Sequence, residues 1–348
     1  MIPNQWYAVL ESSQVQSDKP VGVTRMGEKL VFWRDSRGKL SCLRDFCPHR
    51  GVALSAGKLS GDQLQCPFHG FEYDRTGTCT LVPANGKNQP VPKHLLAFGY
   101  PCQEAHGFIF IWWGEDPPDP PAPRFFDNLE DGFTYGSAHD PWNTHYSRVI
   151  ENQLDVAHVP FVHYNTIGRG NRTLVDGPLV VWQDSDKFFV YVFNRLDDGT
   201  QPRKARQLSP EGQTFHLEFL FPNLWQNYIS ENVRVLAAFV PVDNDHTLLV
   251  LRFYQNFIKL PGLNRLVSRM SMPYNVYIAH QDRRIVETEQ PRRTNLKMDE
   301  KLITADQPII AYRRRREELI SRTGRSDGPL ENEAGLTADR QATKIEAI

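Results

Sequence analysis

Apolar and polar positions alternate in short runs over most of the chain, the period-two signature of half-buried strands. Leu30-Val31-Phe32-Trp33 and Phe108-Ile109-Phe110-Ile111-Trp112-Trp113, each bounded by Gly, Asp or Ser turns, predict a small β domain over residues 1–115. Five prolines between Pro117 and Pro123 then interrupt the pattern. Such a stretch can neither join a sheet nor continue a helix, so residues 116–124 are expected to form a stiff linker. Beyond it, strand-like runs recur at Leu179–Trp182, Phe188–Phe193, Phe215–Phe221, Val233–Val240 and Thr247–Tyr254. Asp197-Asp198-Gly199 and Asp243-Asn244-Asp245 supply hairpin turns between some of them. Helices are expected near 145–165, 273–290 and 306–322, the second framed by Pro273 and Pro291. The predicted class is α+β: an all-β domain, then an antiparallel sheet with long helices over 125–322, then a polar, mobile tail at 323–348.

A length of 348 residues suits two domains of this size. Forty basic against forty-one acidic residues leave a net charge of −1, which implies no nucleic-acid or membrane partner. The segment Met1–Tyr7 lacks the charged flank and apolar core of a secretory leader, and no run of about twenty apolar residues follows. A cytoplasmic location is therefore expected. Arg313-Arg314-Arg315-Arg316 is expected to be a solvated helix face paired with acids at i,i+4, with docking of an acidic ferredoxin as its other use.

The chemistry begins at Cys47-Pro48-His49-Arg50-Gly51 and Cys66-Pro67-Phe68-His69-Gly70, a C-x-H and C-x2-H pair sixteen residues apart. Two thiols and two imidazoles in this order form the ligand set of a Rieske 2Fe-2S cluster, with two thiolates on one iron and two histidines on the other. A structural zinc ribbon is the competing reading of the same donors. Each half supplies one Cys and one His, with proline after each cysteine and glycine close behind, which favours two mirrored loops around a two-iron cluster. Val52 and Phe68 stand where respiratory Rieske proteins carry a loop disulfide, so none is expected. Cys42, Cys79 and Cys102 remain as ordinary small core or loop residues, an odd number that suits a reducing compartment.

A second constellation spans Asn152, Asp155, His158 and His163. On an ideal helix, histidines five apart lie about 140° from each other and share no face. Pro160 between them is expected to clash with the Val156 carbonyl and widen the helix into a π-like turn, bringing both imidazoles to one metal. Two histidines and one carboxylate would leave other positions on Fe(II) open. Asp282 is the best-placed acid, on an amphipathic helix, and Asp184, Asp243 and Glu287 compete with it. A surface acid paired with Arg283 or Arg284 is the plain reading of Asp282.

Together these residues resemble the catalytic α subunit of the Rieske non-haem iron ring-hydroxylating oxygenases, over about residues 1–322. The resemblance implies a Rieske domain followed by a helix-grip catalytic domain. It implies a 2Fe-2S cluster on Cys47, His49, Cys66 and His69, and a mononuclear Fe(II) on His158, His163 and Asp282, with Glu287 matching the family's later glutamate. Glu289 departs from a frequent glutamine. The resemblance further implies a head-to-tail homotrimer in which Asp155 links His69 of one subunit to His158 of the next. Electrons would come from NAD(P)H through a ferredoxin or flavin reductase, and O2 would hydroxylate or demethylate a small aromatic or cyclic substrate. A Rieske electron carrier with a non-catalytic accessory domain is the alternative. Asn223, Tyr228, Phe239, Tyr254, Asn256 and Val276 lie on segments expected to face the substrate cavity.

Overall fold

The computed structural model describes residues 1–115, 120–129 and 132–322; positions 116–119 of the expected linker and the tail at 323–348 lie outside the described residues. Packing groups the chain into two compact units, one formed by Met1–Ser12, Thr24–Glu28 and Gln103–Arg316, the other chiefly by Ser13–Val23 and Lys29–Cys102.

Strand β1 (Gln5–Glu11) opens the chain in the larger unit. The smaller unit contains the antiparallel pair β3 (Glu28–Arg34) and β4 (Leu40–Arg44), extended by β2 (Val21–Arg25). It also contains a four-stranded meander of β5 (Lys58–Ser60), β6 (Gln63–Gln65), β7 (Glu72–Tyr73) and β8 (Cys79–Leu81). Alternation sends Val31, Trp33, Leu43, Leu64 and Tyr73 into one core, and the thiols of Cys47, Cys66 and Cys79 pack in the same cluster. The all-β architecture is as the sequence predicts.

In the larger unit, β1 pairs with β10 (Phe108–Trp113), which is flanked by β9 (Cys102–Ala105). The fully buried Arg252 guanidinium reaches Glu11 Oε1 at 2.8 Å and the carbonyls of His106 and Gly107 at 2.8 and 2.7 Å, and lies 3.4 Å from the Phe108 ring centroid. That one side chain ties β1 and the β9–β10 turn to the main sheet. Its strands are β11 (Thr134–Trp142), β12 (Leu174–Trp182), β13 (Lys187–Arg195), β14 (His216–Leu220), β15 (Leu224–Ser230), β16 (Val233–Pro241) and β17 (Thr247–Gln255), in the antiparallel order β11-β17-β16-β15-β14-β13-β12. The helices are α1 (Tyr146–Leu154), α2 (Val159–Val162), α3 (Leu263–Met270), α4 (Met272–Val286) and α5 (Gln307–Ser321). An α+β domain with a large antiparallel sheet and helices is thus what forms. No helix among the described residues is long and apolar enough to cross a membrane.

The arginine run on α5 departs from the expectation of a solvated face. Arg313, Arg315 and Arg316 are buried: Arg313 grips Glu151 through Nε and Nη2 at 2.9 and 2.6 Å, Arg315 bonds Asp186, and Arg316 donates to the Thr294 carbonyl. Their acids lie on other segments, so an i,i+4 reading along the helix misses them. Arg148 on α1 donates to the Pro291 carbonyl and to Glu300, and lies 3.1 Å from Glu289. α1, α5 and the chain after α4 are therefore locked together by charge-assisted bonds.

Three carboxylates, Glu151, Glu289 and Glu300, share the two guanidiniums of Arg148 and Arg313. Burial and the neighbouring acids, partly offset by Arg148, raise the Glu289 pKa to about 7. The folded protein then holds a proton that the unfolded chain releases near its ordinary value, so this group withdraws stability as pH rises through that window. Glu289→Gln is expected to raise the melting temperature above the parent at pH ~8 and to leave it close to the parent at pH ~4.5. Equal shifts at both pH values in thermal melts would contradict this account of Glu289.

Candidate active site and metal centres

In the smaller unit, the two metal loops repeat one hydrogen-bond pattern. Cys47 N–H bonds the Val52 carbonyl and Gly51 N–H returns to the Cys47 carbonyl; Cys66 N–H bonds the Phe71 carbonyl and Gly70 N–H returns to the Cys66 carbonyl. Both closing glycines have left-handed backbone, φ +76° and +74°, which any side chain would strain. Each loop thereby turns its cysteine inward and its histidine outward: Cys47 and Cys66 are buried, and His49 and His69 are exposed with ring centroids 4.6 Å apart. Phe71 stacks on His49 at 4.7 Å. Burial pushes the Cys66 thiol up, while the N–H groups of Phe68 and His69 act in the other direction. Two inward sulfurs facing two outward imidazoles fit a cluster with one all-sulfur and one histidine-bound iron.

Tyr73 is a residue the sequence reading missed. Its hydroxyl lies 3.2 Å from Cys47 Sγ inside the core, and burial raises its pKa strongly, so it is a proton donor at any ordinary pH. Its place two residues after Phe71 on β7, facing the thiols, was the available signal.

In the larger unit, one ligating atom from each of His158, His163 and Asp282 comes within 4.8 Å of the others. The route differs from the expected widened helix. α1 stops at Leu154, Asp155 adopts extended backbone, and His158 and His163 cap the two ends of the four-residue helix α2. Inside it the bonds are ordinary α type, Val162 N–H to the His158 carbonyl and His163 N–H to the Val159 carbonyl. Pro160 sits in the first turn, where its missing N–H costs nothing, and Val156 lies outside the helix, so no clash arises. A break followed by a short helix brings the imidazole centroids to 5.3 Å.

Asp282 projects from α4 and is buried; its Oδ1 lies 2.9 Å from His163 Nε2 and 3.4 Å from His158 Nε2. Arg283 bonds Asp140 instead. The competing acids are engaged elsewhere: Asp184 with Arg124, Asp243 with His246, and Glu287 with the Asn143 N–H. Burial opposes charge on Asp282, but His158 and His163 outweigh it and lower its pKa to about 2. Burial likewise opposes a charged His158, and Asp155 with Asp282 overcomes it, raising that pKa to about 9.

The remaining imidazole nitrogens are also directed. His163 Nδ1 donates to Gln281 Oε1 at 2.9 Å, and Gln281 is oriented by its own donation to Asn165 Oδ1 at 2.8 Å. His158 Nδ1 faces Asp155 Oδ2 at 3.5 Å, and Asp155 Oδ1 accepts the Ala157 N–H, which fixes the turn. Both ring orientations leave Nε2 free for a metal. Sequence reasoning missed Gln281, although its position one residue before Asp282 puts it on the neighbouring face of α4.

A cavity of about 560 Å³ opens beside these three donors. Of the six residues expected to face it, none lines it. Tyr228 and Tyr254 point to the opposite face of their strands from the lining residues Asn227 and Leu251; Asn223 instead bonds Ala8 and Phe239, and Val276 lies beside the helical stripe Asn275–Ala279–Asp282. Phe239 and Asn256 lie farther along the chain than the lining part of β16 and β17.

The chain thus holds two metal-type donor sets of different chemistry, one sulfur–nitrogen pair of loops and one facial two-histidine, one-carboxylate group. Residues 5–97 match the Rieske [2Fe-2S] domain and residues 142–322 match the vanillate O-demethylase oxygenase C-terminal domain. The chain belongs to the Rieske non-haem iron oxygenases of the vanillate O-demethylase type. It is 27% identical to methylxanthine N1-demethylase NdmA of Pseudomonas putida, over 89% of this chain and 85% of that protein. It is 36% identical to a chloroplastic chlorophyllide a oxygenase of Chlamydomonas reinhardtii, over 48% of this chain and 25% of that protein. The chain spans 25–37% of the length of the first three curated relatives it matches. The fold matches the solved structure of NdmA from Pseudomonas putida CBB5 with a TM-score of 0.73 at 23% identity, covering 95% and 97% of the two chains. The family carries a Rieske 2Fe-2S cluster and a mononuclear non-haem iron.

Tyr73 supplies a direct test of the cluster loops. Hydrogen bonds to cluster sulfurs favour the reduced form. Tyr73→Phe is expected to lower the midpoint potential by about 50 mV, the one-electron equivalent of about 1 kcal/mol, with the Rieske spectrum retained. An unchanged potential in redox titration would show that this contact does not reach the cluster.

Proposed function

We propose that this protein is the terminal oxygenase of a multicomponent system that hydroxylates, or O- or N-demethylates, a small aromatic or cyclic substrate. The observation that carries the reading is the convergence of His158, His163 and Asp282 on one point beside a cavity, in a chain that also bears the Rieske loops. An electron carrier has no use for a buried facial triad.

Cys47, His49, Cys66 and His69 hold the 2Fe-2S cluster, and His158, His163 and Asp282 hold Fe(II). When bound, these groups supply single-electron storage and reductive activation of dioxygen. Monooxygenation consumes O2, two electrons and two protons, placing one oxygen atom in the product and one in water. NAD(P)H supplies the electrons through a ferredoxin or flavin reductase. Gln281 holds His163 in the Nδ1–H form, so that Nε2 is the donor. Asp155 faces His158 Nδ1 at 3.5 Å and, in a head-to-tail homotrimer, links that histidine to His69 of a neighbouring copy. The exposure of the His69 ring, the exposed Phe46 and Phe68 near it, and the exposed Phe161 and Tyr164 on the α2 side support such docking. The apolar wall of the cavity excludes water from the reacting carbon.

Metal analysis is the first check: three irons and two acid-labile sulfides per chain are expected, against two irons for a carrier and none for a zinc protein. His158→Ala should keep the Rieske spectrum, lose one iron and abolish substrate-dependent oxygen uptake. Full turnover in that variant would overturn the assignment. Asp155→Asn should retain all three irons, with cluster reoxidation by O2 in the presence of substrate slowed by at least about 10–100-fold in stopped-flow absorbance.

A further inference from the structure

The oxygenase cavity is apolar over most of its wall, with aliphatic contributions from Val192, Leu217, Val235, Leu249 and Leu251. On the side of the cavity formed by the sheet, three unpartnered polar atoms stand among these aliphatic residues. Trp225 Nε1, Asn227 Oδ1 and Asn194 Oδ1 are each buried with no hydrogen-bond partner among the described residues, and all three side chains line the cavity. Trp225 as a whole is 5% exposed. Buried polar groups are almost always satisfied, because an unmade bond forfeits the group's solvation. Three of them together on one cavity wall mark positions that an occupant completes.

The register fixes how they are presented. Leu217, Asn227 and Val235 lie directly across from one another on β14, β15 and β16, and Trp225 faces Ala237, which in turn faces Leu251. Trp225 and Asn227 are successive same-face residues of one strand, so an N–H donor and a carbonyl acceptor stand side by side on an otherwise aliphatic floor. The Asn194 amide is unambiguous: Nδ2 donates to the Val156 carbonyl at 2.8 Å, which turns Oδ1 out as a second acceptor. Basic charge is kept away from this floor. The two lining arginines, Arg169 and Arg172, are solvent-exposed on the segment after α2.

Resting on the oxygenase reading, we propose that Trp225 and Asn227 determine substrate specificity. They select a neutral, fused-ring substrate that carries a hydrogen-bond acceptor for the indole N–H and an N–H or O–H donor for the Asn227 carbonyl. A cavity of about 150 Å³ holds one benzene ring, so 560 Å³ accommodates more than a single ring. A carboxylate gains nothing from the floor itself, where Trp225, Asn227 and Asn194 present only uncharged groups. An isosteric hydrocarbon is disfavoured because it leaves the donor and acceptors unpaired.

Equilibrium dialysis of the iron-loaded protein against isoquinolone, naphthalene and naphthoate tests the assignment, since the three share a bicyclic frame and differ in polarity. Isoquinolone, with adjacent carbonyl and N–H, is expected to bind at least about tenfold more tightly than either of the others. Trp225→Phe and Asn227→Leu should each bring isoquinolone to within about threefold of naphthalene, with naphthalene bound no more weakly than by the parent and three irons retained. Failure of isoquinolone to bind, tighter binding of naphthoate or naphthalene, or a preference that survives both substitutions would overturn the proposal. Dialysis requires no turnover, so the two readings fail separately. Loss of the preference with intact oxygen uptake removes only the specificity assignment, and intact preference without oxygen uptake removes only the oxygenase assignment.

Discussion

The candidate metal site depends on a carboxylate that is not among its three donors. Glu151, buried at the last full turn of α1, meets Arg313 of α5 through two short parallel bonds. Desolvating this pair is expensive, and removing either partner would leave Arg313 with Glu300 alone or Glu151 with the more distant Arg148. Its effect is positional. With α1 pinned four residues upstream, Asp155 is placed where the helix ends, and the break into α2 can then set both histidines. Arg148 on the same helix fastens the chain that follows α4, so the helix carrying Asp282 is held by the same network.

Two kinds of precision coexist around this anchor. The Rieske loops owe their geometry to backbone bonds and left-handed glycines, a local code repeated twice within thirty residues. The candidate metal site owes its geometry to side chains at the two ends of α2 and on α4, more than a hundred residues apart, and so requires the larger unit to be assembled. The loops are specified by bonds between near neighbours in sequence, whereas the triad needs segments distant in the chain to meet.

That contrast explains what could be read from the chain. Cys47, His49, Cys66 and His69 were legible because all four donors lie within one short stretch with diagnostic spacing. His158 and His163 were legible as a pair, but the mechanism of their convergence was not: proline in a first helical turn and proline in mid-helix give the same local sequence, and only the stop at Leu154 tells them apart. Asp282 needed the family resemblance, since many acids compete until packing shows Asp184, Asp243 and Glu287 bonded elsewhere. The strands β11 and β15 went unnoticed because Pro141 and the polar residues Gln226 and Asn227 mask their alternation. The arginine run was misjudged since burial by distant carboxylates leaves no local trace.

The alternation along β14 and β15 has a wider consequence. Leu217, Trp225 and Asn227 face the cavity, whereas Glu218 and Gln226, bonded to each other at 2.8 Å with Lys187 on the same carboxylate, face the opposite way. Cavity lining and structural support are thus written on alternate letters of the same strands. A lineage can exchange the odd-numbered residues and acquire a new diet while the even-numbered ones keep the sheet standing, which makes this scaffold inherently evolvable.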